Sequence, residues 1–286
     1  MNPPDGAGLA AVSAAQLRTG DLLLMRSRNE LATLTTWFGD SDYDHVLLVG
    51  RAGCVIDFGA GGVVEPALDE RLGAADVVAV DVRRPLSGQG EDLQDNDRIA
   101  VLAHALSLRR PNYAGDPLRA LGVLAAVRER ELPPQPALRR VLYEALQRVA
   151  RAGADAMTAS EFVYRCFAEN PVQPPGRLAP QLTPMAARAA PFPHIDWPAL
   201  WLQIAPWLPE ERRALPSFDG DAGVDDGDFY IAVTAARSRL GLISTGAGLL
   251  AAGPRQPNPK WLRLCELERS PSYEPLGRLY PAPGAV

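Results

Sequence analysis

The sequence predicts an α+β protein, with a small antiparallel sheet early in the chain packed against helices that follow it. Three observations point there. Residues 18–85 hold five short runs rich in branched residues, separated by Gly- and Asp-containing turns. Residues 95–170 instead repeat their apolar positions with helical period. The chain of 286 residues is 47% hydrophobic and 22% charged, which is ordinary for a globular protein and long enough to bury a core.

The expected strands are Asp21–Met25, His45–Val49, Cys54–Phe58, Gly62–Glu65 and Val77–Val82. Ile99–Leu108 reads as a helix. So does Ala137–Ala152, where Val141, Leu142, Ala145, Leu146 and Val149 form one apolar stripe. Thr158–Glu169 is a third helix, ending before Asn170-Pro171. Residues 171–286 carry many of the 27 prolines, with helical patterns at Trp197–Ala214 and Phe229–Leu250. They are expected to form a mainly helical, Pro-rich extension packed on residues 18–170, with residues 1–17 as a tail. The acidic run Asp219–Asp228 lacks the register of a calcium loop and reads as a solvated turn.

Composition excludes several functions. With 29 basic against 34 acidic residues, the net charge of −5 argues against nucleic-acid binding, which needs a basic face. Three cysteines, never in C-x-x-C spacing, and three histidines exclude a disulfide scaffold and speak against a zinc site. Met1–Leu17 has neither a basic n-region nor a long apolar h-region, so no signal peptide is expected. Leu240–Gly253 is too short for a membrane span and reads as the end of a buried helix, so no stable membrane insertion is expected.

Two places carry candidate chemistry. The first is His45, at a strand start. A hairpin around Gly50–Ala52 with an odd loop would set His45 opposite Asp57 and put His45, Leu47, Val49, Val55 and Asp57 on one face. A carboxylate beside an imidazole fixes its tautomer and stabilises the imidazolium, as a general base requires. A structural histidine and a solvent-facing aspartate are the plainer readings, and Glu65 is the alternative orienting carboxylate. The second place is the helix start Met157-Thr158-Ala159-Ser160-Glu161, followed by a face of Phe162, Val163, Cys166 and Phe167. Free amides and the helix dipole at such a start suit a nucleophilic thiol and an oxyanion.

Several motifs occur in a telling order: Gly20-Asp21-Leu-Leu-Leu, Tyr43-Asp44-His45-Val-Leu-Leu-Val, Gly62-Val-Val-Glu-Pro-Ala-Leu, Val80-Asp-Val-Arg-Arg-Pro, Pro111-Asn112-Tyr113 and Ala159-Ser160-Glu161-Phe162-Val163-Tyr164. This order resembles the circularly permuted NlpC-type branch of the papain-like cysteine hydrolases, which includes YiiX-like and lecithin:retinol acyltransferase-like proteins. The resemblance spans residues 18–170 and implies a permuted papain-like catalytic domain. It places the family's base on His45, its third polar member on Asp57 and its nucleophile on Ala159. Alanine departs from the family pattern there and has no nucleophile. Three accounts stand: an alanine put in place of cysteine, a naturally inactive member that binds without cleaving, or a nucleophile elsewhere.

Other residues fall beside this site. Trp37, Tyr43, Tyr113 and Ser160 are candidate cleft residues, and Phe38 is grouped with Trp37 and Tyr43. For these aromatics, a hydrophobic plug under a loop is the alternative. Cys166 and Cys265 read as buried packing. Cys54 lies beside the hairpin turn with no base near it. Ser160 and Thr158 point about 100° away from the 159 direction. His104 and His194 read as structural, and Glu161 as a complement to the helix N-terminus.

The resemblance implies a cysteine-nucleophile hydrolase that cleaves an amide through an acyl-enzyme, with no metal or organic cofactor. A peptidoglycan-peptide amidase or endopeptidase ranks first, with a lipid or acyl-chain hydrolase or acyltransferase as the alternative. Lacking a signal, such a protein would be cytoplasmic in its producer and reach a target-cell periplasm by a type VI-like route as an antibacterial effector. Its partners would be a peptide or acyl substrate and an immunity protein.

Overall fold

The computed structural model describes residues 10–59, 62–109, 116–128, 134–153, 156–183, 185–186, 188–214, 224–242 and 258–279. Its elements in chain order are β1 (Ala11–Val12), β2 (Leu22–Ser27), α1 (Glu30–Gly39), β3 (His45–Val49), β4 (Val55–Gly59), β5 (Gly62–Val64), α2 (Leu68–Leu72) and β6 (Val77–Pro85). There follow α3 (Asp95–Ser107), α4 (Pro117–Val127), α5 (Pro136–Arg151), α6 (Ala159–Ala168), α7 (Trp197–Ile204), α8 (Asp226–Arg239), α9 (Leu264–Glu268) and β7 (Tyr273–Leu279). The fold is α+β, as expected. The sheet is larger than expected: seven strands in the order β1-β7-β6-β2-β3-β4-β5, antiparallel except where β1 runs parallel to β7.

Alternation along the strands gives the sheet two apolar faces. Leu24, Val46, Leu48, Ile56 and Phe58 pack with Phe162, Val163 and Phe167 of α6, and the Phe58 and Phe162 rings stack at 5.2 Å. Leu23, Met25, Leu47, Val49 and Val55 meet Leu68 and Leu72 of α2 on the other side. A further core joins α1, α4, α5 and α7 through Phe38, Leu121, Val141, Leu142 and Trp201. The expected stripe on α5 is buried throughout.

β7 comes from the segment expected to wrap around the sheet, yet it lies within the sheet between β1 and β6. Gly277 makes this fit: its φ of 142° is open to glycine, and a Cβ there would collide with the Ala10 carbonyl. The Arg278 side chain then reaches Asp81 of β6 at 2.7 Å. Two motifs of the family-like pattern also meet here. Arg84 donates to the fully buried Asp21 carboxylate at 2.8 Å, and Arg98 of α3 approaches it at 3.3 Å. These motif residues therefore tie strands together and stand away from the candidate chemistry.

The Trp197–Ala214 pattern is helical only to Ile204, after which Pro206 and Pro209 break it into 3-10 turns. α8 begins earlier than expected, because Asp225 caps it by accepting from the Asp228 amide at 2.8 Å. The end of the acidic run is therefore a helix start, where carboxylates complement the dipole. Residues 243–250 of the expected helix and most of Leu240–Gly253 lie outside the described residues. Among the described residues no helix is long and apolar enough to cross a membrane.

Candidate active site

The site begins with the β3–β4 hairpin. Leu48 pairs with Ile56 and Val49 with Val55, which continues to Leu47 facing Asp57. The register is thus displaced by two residues from the expected one, and His45 is diagonal to Asp57 instead of opposite it. The loop explains the shift. Five residues close through the Gly50 amide on the Cys54 carbonyl at 2.9 Å, with Ala52 and Gly53 at positive φ, so the turn centres on Ala52. A shift of two preserves the face, and diagonal neighbours lie within reach of long side chains.

That reach is used. His45 Nε2 and Asp57 Oδ1 are 2.7 Å apart, and Arg71 Nε donates to Asp57 Oδ2, also at 2.7 Å. Burial raises the Asp57 pKa, but the hydrogen bonds and charges of His45 and Arg71 outweigh it and hold the carboxyl at about 2. Asp57 is therefore an acceptor at all ordinary pH. A permanent acceptor on Nε2 places the neutral ring's proton on that nitrogen and leaves Nδ1 as the basic one. Nδ1 has no hydrogen-bond partner among the described residues.

α6 supplies the second half. Thr158 is its N-cap, with extended backbone, and its Oγ1 accepts from the Glu161 amide at 3.2 Å. The Thr158 carbonyl takes the Phe162 amide. The amides of Ala159 and Ser160 are then first-turn donors with no acceptor within the helix. α6 packs on the Val46 and Leu48 face, whereas His45 belongs to the opposite face with Asp57. His45 is the first residue of β3 and so stands at the strand end.

A cavity of about 270 Å³ lies past that strand end and is lined by both His45 and Ala159. Its polar wall includes Ser27, Asn29, Asp44, Arg71, Asp76, Thr158 and Ser160. Leu31 of α1, Val123 and Leu124 of α4, and Leu262 and Leu264 add its apolar wall. Asp44 accepts from the Ser27 amide at 2.6 Å and its hydroxyl at 3.0 Å, and burial raises its pKa.

Of the candidate cleft residues, Tyr43 and Ser160 both line this cavity. The Tyr43 hydroxyl is directed away to Asp81, where burial and that carboxylate raise its pKa. Tyr113 lies outside the described residues. Trp37 is a correction. It does not line the His45 cavity but packs edge-on against Phe38 and Phe192, with the Arg128 guanidinium 3.7 Å from its ring centre. Its indole N–H donates to the Pro191 carbonyl at 3.0 Å, so it serves as the plug under a loop. Glu65 is paired with Arg109 at 3.2 Å, and it is Asp57 that meets His45.

Cys166 is fully buried, and burial pushes its thiol well above the ordinary range. Burial also pushes Cys265 up to about 11. His104 is half-buried in α3, and burial lowers its pKa, while His194 is exposed. Glu161 is buried, and burial raises its pKa against the lowering influence of Lys260, Arg119 and Arg165. Sequence reasoning missed Arg71, Asp44, Asn29 and Asp76. The signal for Arg71 was its place just after the Pro66-Ala-Leu turn that folds back beside β4. Among the described residues no group of three or more His, Cys, Asp or Glu side chains is arranged to hold a metal ion. No family model and no curated protein matches the chain.

Proposed function

We propose that this cavity is the acyl-transfer site of a cysteine-nucleophile amide hydrolase of the permuted NlpC-like type, with position 159 as the nucleophile position. The observation that carries the reading is His45, oriented through Nε2 by Asp57, lining one cavity with the start of α6. With a thiol at 159, Nδ1 of His45 would take its proton. The thiolate would attack the substrate carbonyl, forming the S–C bond while the amides of Ala159 and Ser160 face the oxyanion. The imidazolium would then protonate the leaving amine as the C–N bond breaks, and water would release the acyl group. With alanine, the same cavity binds without cleaving.

A peptidoglycan peptide is the proposed substrate, met in a target-cell periplasm after delivery from the producer cytoplasm. The apolar wall of Leu31, Val123, Leu124, Leu262 and Leu264 favours a second reading, in which the acyl group is a fatty chain. The test has two stages. In the Ala159→Cys chain, position 159 should be alkylated by iodoacetamide at neutral pH, and His45→Ala should slow this by roughly tenfold or more. An unreactive thiol at 159 would sink the site. Periplasmic expression should then lyse cells with the Cys form and not the Ala form, whereas release of fatty acid from vesicles would favour the second reading.

A further inference from the structure

We propose that Arg71 is the residue that sets substrate specificity at this site, holding a substrate carboxylate beside the scissile bond. This rests on the reading of Ala159 as the nucleophile position. Arg71 is the one residue of α2 that lines the cavity, and its side chain is 25% exposed. Its Nε is committed to Asp57 at 2.7 Å, which fixes the plane of the guanidinium. Nη1 and Nη2 have no hydrogen-bond or ion partner among the described residues. A guanidinium anchored through Nε keeps a two-pronged edge that matches a carboxylate bidentately.

The rest of the polar wall discriminates in the same direction. Asp44 and Asp76 also line the cavity, and their carboxylates accept from Ser27 and from Asn29 Nδ2 at 3.0 Å. They would repel an anion from that part of the wall and leave the Arg71 edge as its place. Asp57 takes up only the Nε edge of Arg71, so the other edge of the guanidinium keeps its donors for a ligand. The ligand class is therefore an amide whose acyl or amine part carries a carboxylate, such as a peptide with a free terminal or side-chain carboxyl.

Alkylation of the Ala159→Cys thiol by two reagents of equal size tests this, iodoacetate carrying a carboxylate and iodoacetamide none. The ratio of the two rates cancels any change in thiolate fraction that follows from disturbing Asp57. Arg71→Gln should lower the iodoacetate-to-iodoacetamide ratio roughly fivefold or more, and Arg71→Lys should retain part of it. A ratio unchanged in both variants, with the two rates falling together, would mean that Arg71 only positions Asp57, and would overturn the proposal. An Ala159→Cys thiol that neither reagent reaches with Arg71 intact would overturn the site itself, and this inference with it.

Discussion

Asp57 meets His45 diagonally across the β3–β4 hairpin, 2.7 Å from Nε2, while its other oxygen is held by Arg71. This arrangement predicts the outcome of a conservative change. In Asp57→Asn the amide oxygen must face Arg71, which can only donate. The amide NH₂ then faces Nε2 and moves the ring proton to Nδ1, so the base is lost while the shape is kept. In the Ala159→Cys chain, Asp57→Asn should slow alkylation at neutral pH by roughly a hundredfold or more, since tautomer loss costs a triad as much as about 10⁴-fold. Matching circular dichroism melts would separate this from unfolding.

The same carboxylate links stability to acid. Its folded pKa of about 2 lies below the unfolded value near 3.8, so its stabilisation is complete above about pH 4 to 5 and is lost as pH falls toward 2. The shift corresponds to roughly 2 kcal/mol, about half of it lost by pH 3. Urea melts at pH 6 and pH 3 should therefore show a larger drop for the parent chain than for Asp57→Asn. Equal drops would show that the Asp57 pairs contribute nothing to folding.

Much of the site was legible because its elements obey local rules. The runs His45–Val49 and Val55–Phe58 are short, rich in branched residues and bounded by turn residues, and Thr158 marks the start of α6 as an N-cap. The register was not legible, because it depends on Ala52 adopting φ of 35°, which no residue type announces. α4 escaped notice since Leu118, Leu121, Val123, Leu124 and Ala126 are buried on more than one side, which erases the amphipathic period. β7 reads Tyr-Glu-Pro-Leu-Gly-Arg-Leu, with Pro275 and Gly277 both unfavourable in strands. Its partners β6 and β1 decide its conformation. Arg71 sits on a five-residue helix, where a charged side chain reads by default as solvated.

The native thiols should be poor substitutes for a missing nucleophile. Cys166 and Cys265 are buried with raised pKa values, and Cys54 alone is partly exposed. A thiol reagent such as dithionitrobenzoate should react readily with at most one of the three cysteines in the folded chain and with all three in denaturant. Rapid reaction at Cys166 in the folded chain would reopen it as the nucleophile.

The apolar wall of the cavity depends on how closely α4 lies on α5. Gly122 makes that approach: a Cβ there would overlap the Ala145 carbonyl and come within 2.8 Å of Val149 Cγ2. The obstructing carbonyl is helix backbone and cannot swing aside as a side chain would. Gly122→Ala must therefore push α4 away from α5 and displace Val123 and Leu124, which line the cavity on the same helix. The helix-propensity gain of about 1 kcal/mol is smaller than the overpacking cost of roughly 1–3 kcal/mol, so a net loss of stability is expected. Denaturant melts would show it as a lower midpoint at unchanged slope. In the Ala159→Cys background, the same variant should also slow alkylation by bulky apolar reagents more than by iodoacetamide. A stabilised Gly122→Ala chain would mean that the two helices are not held at this distance.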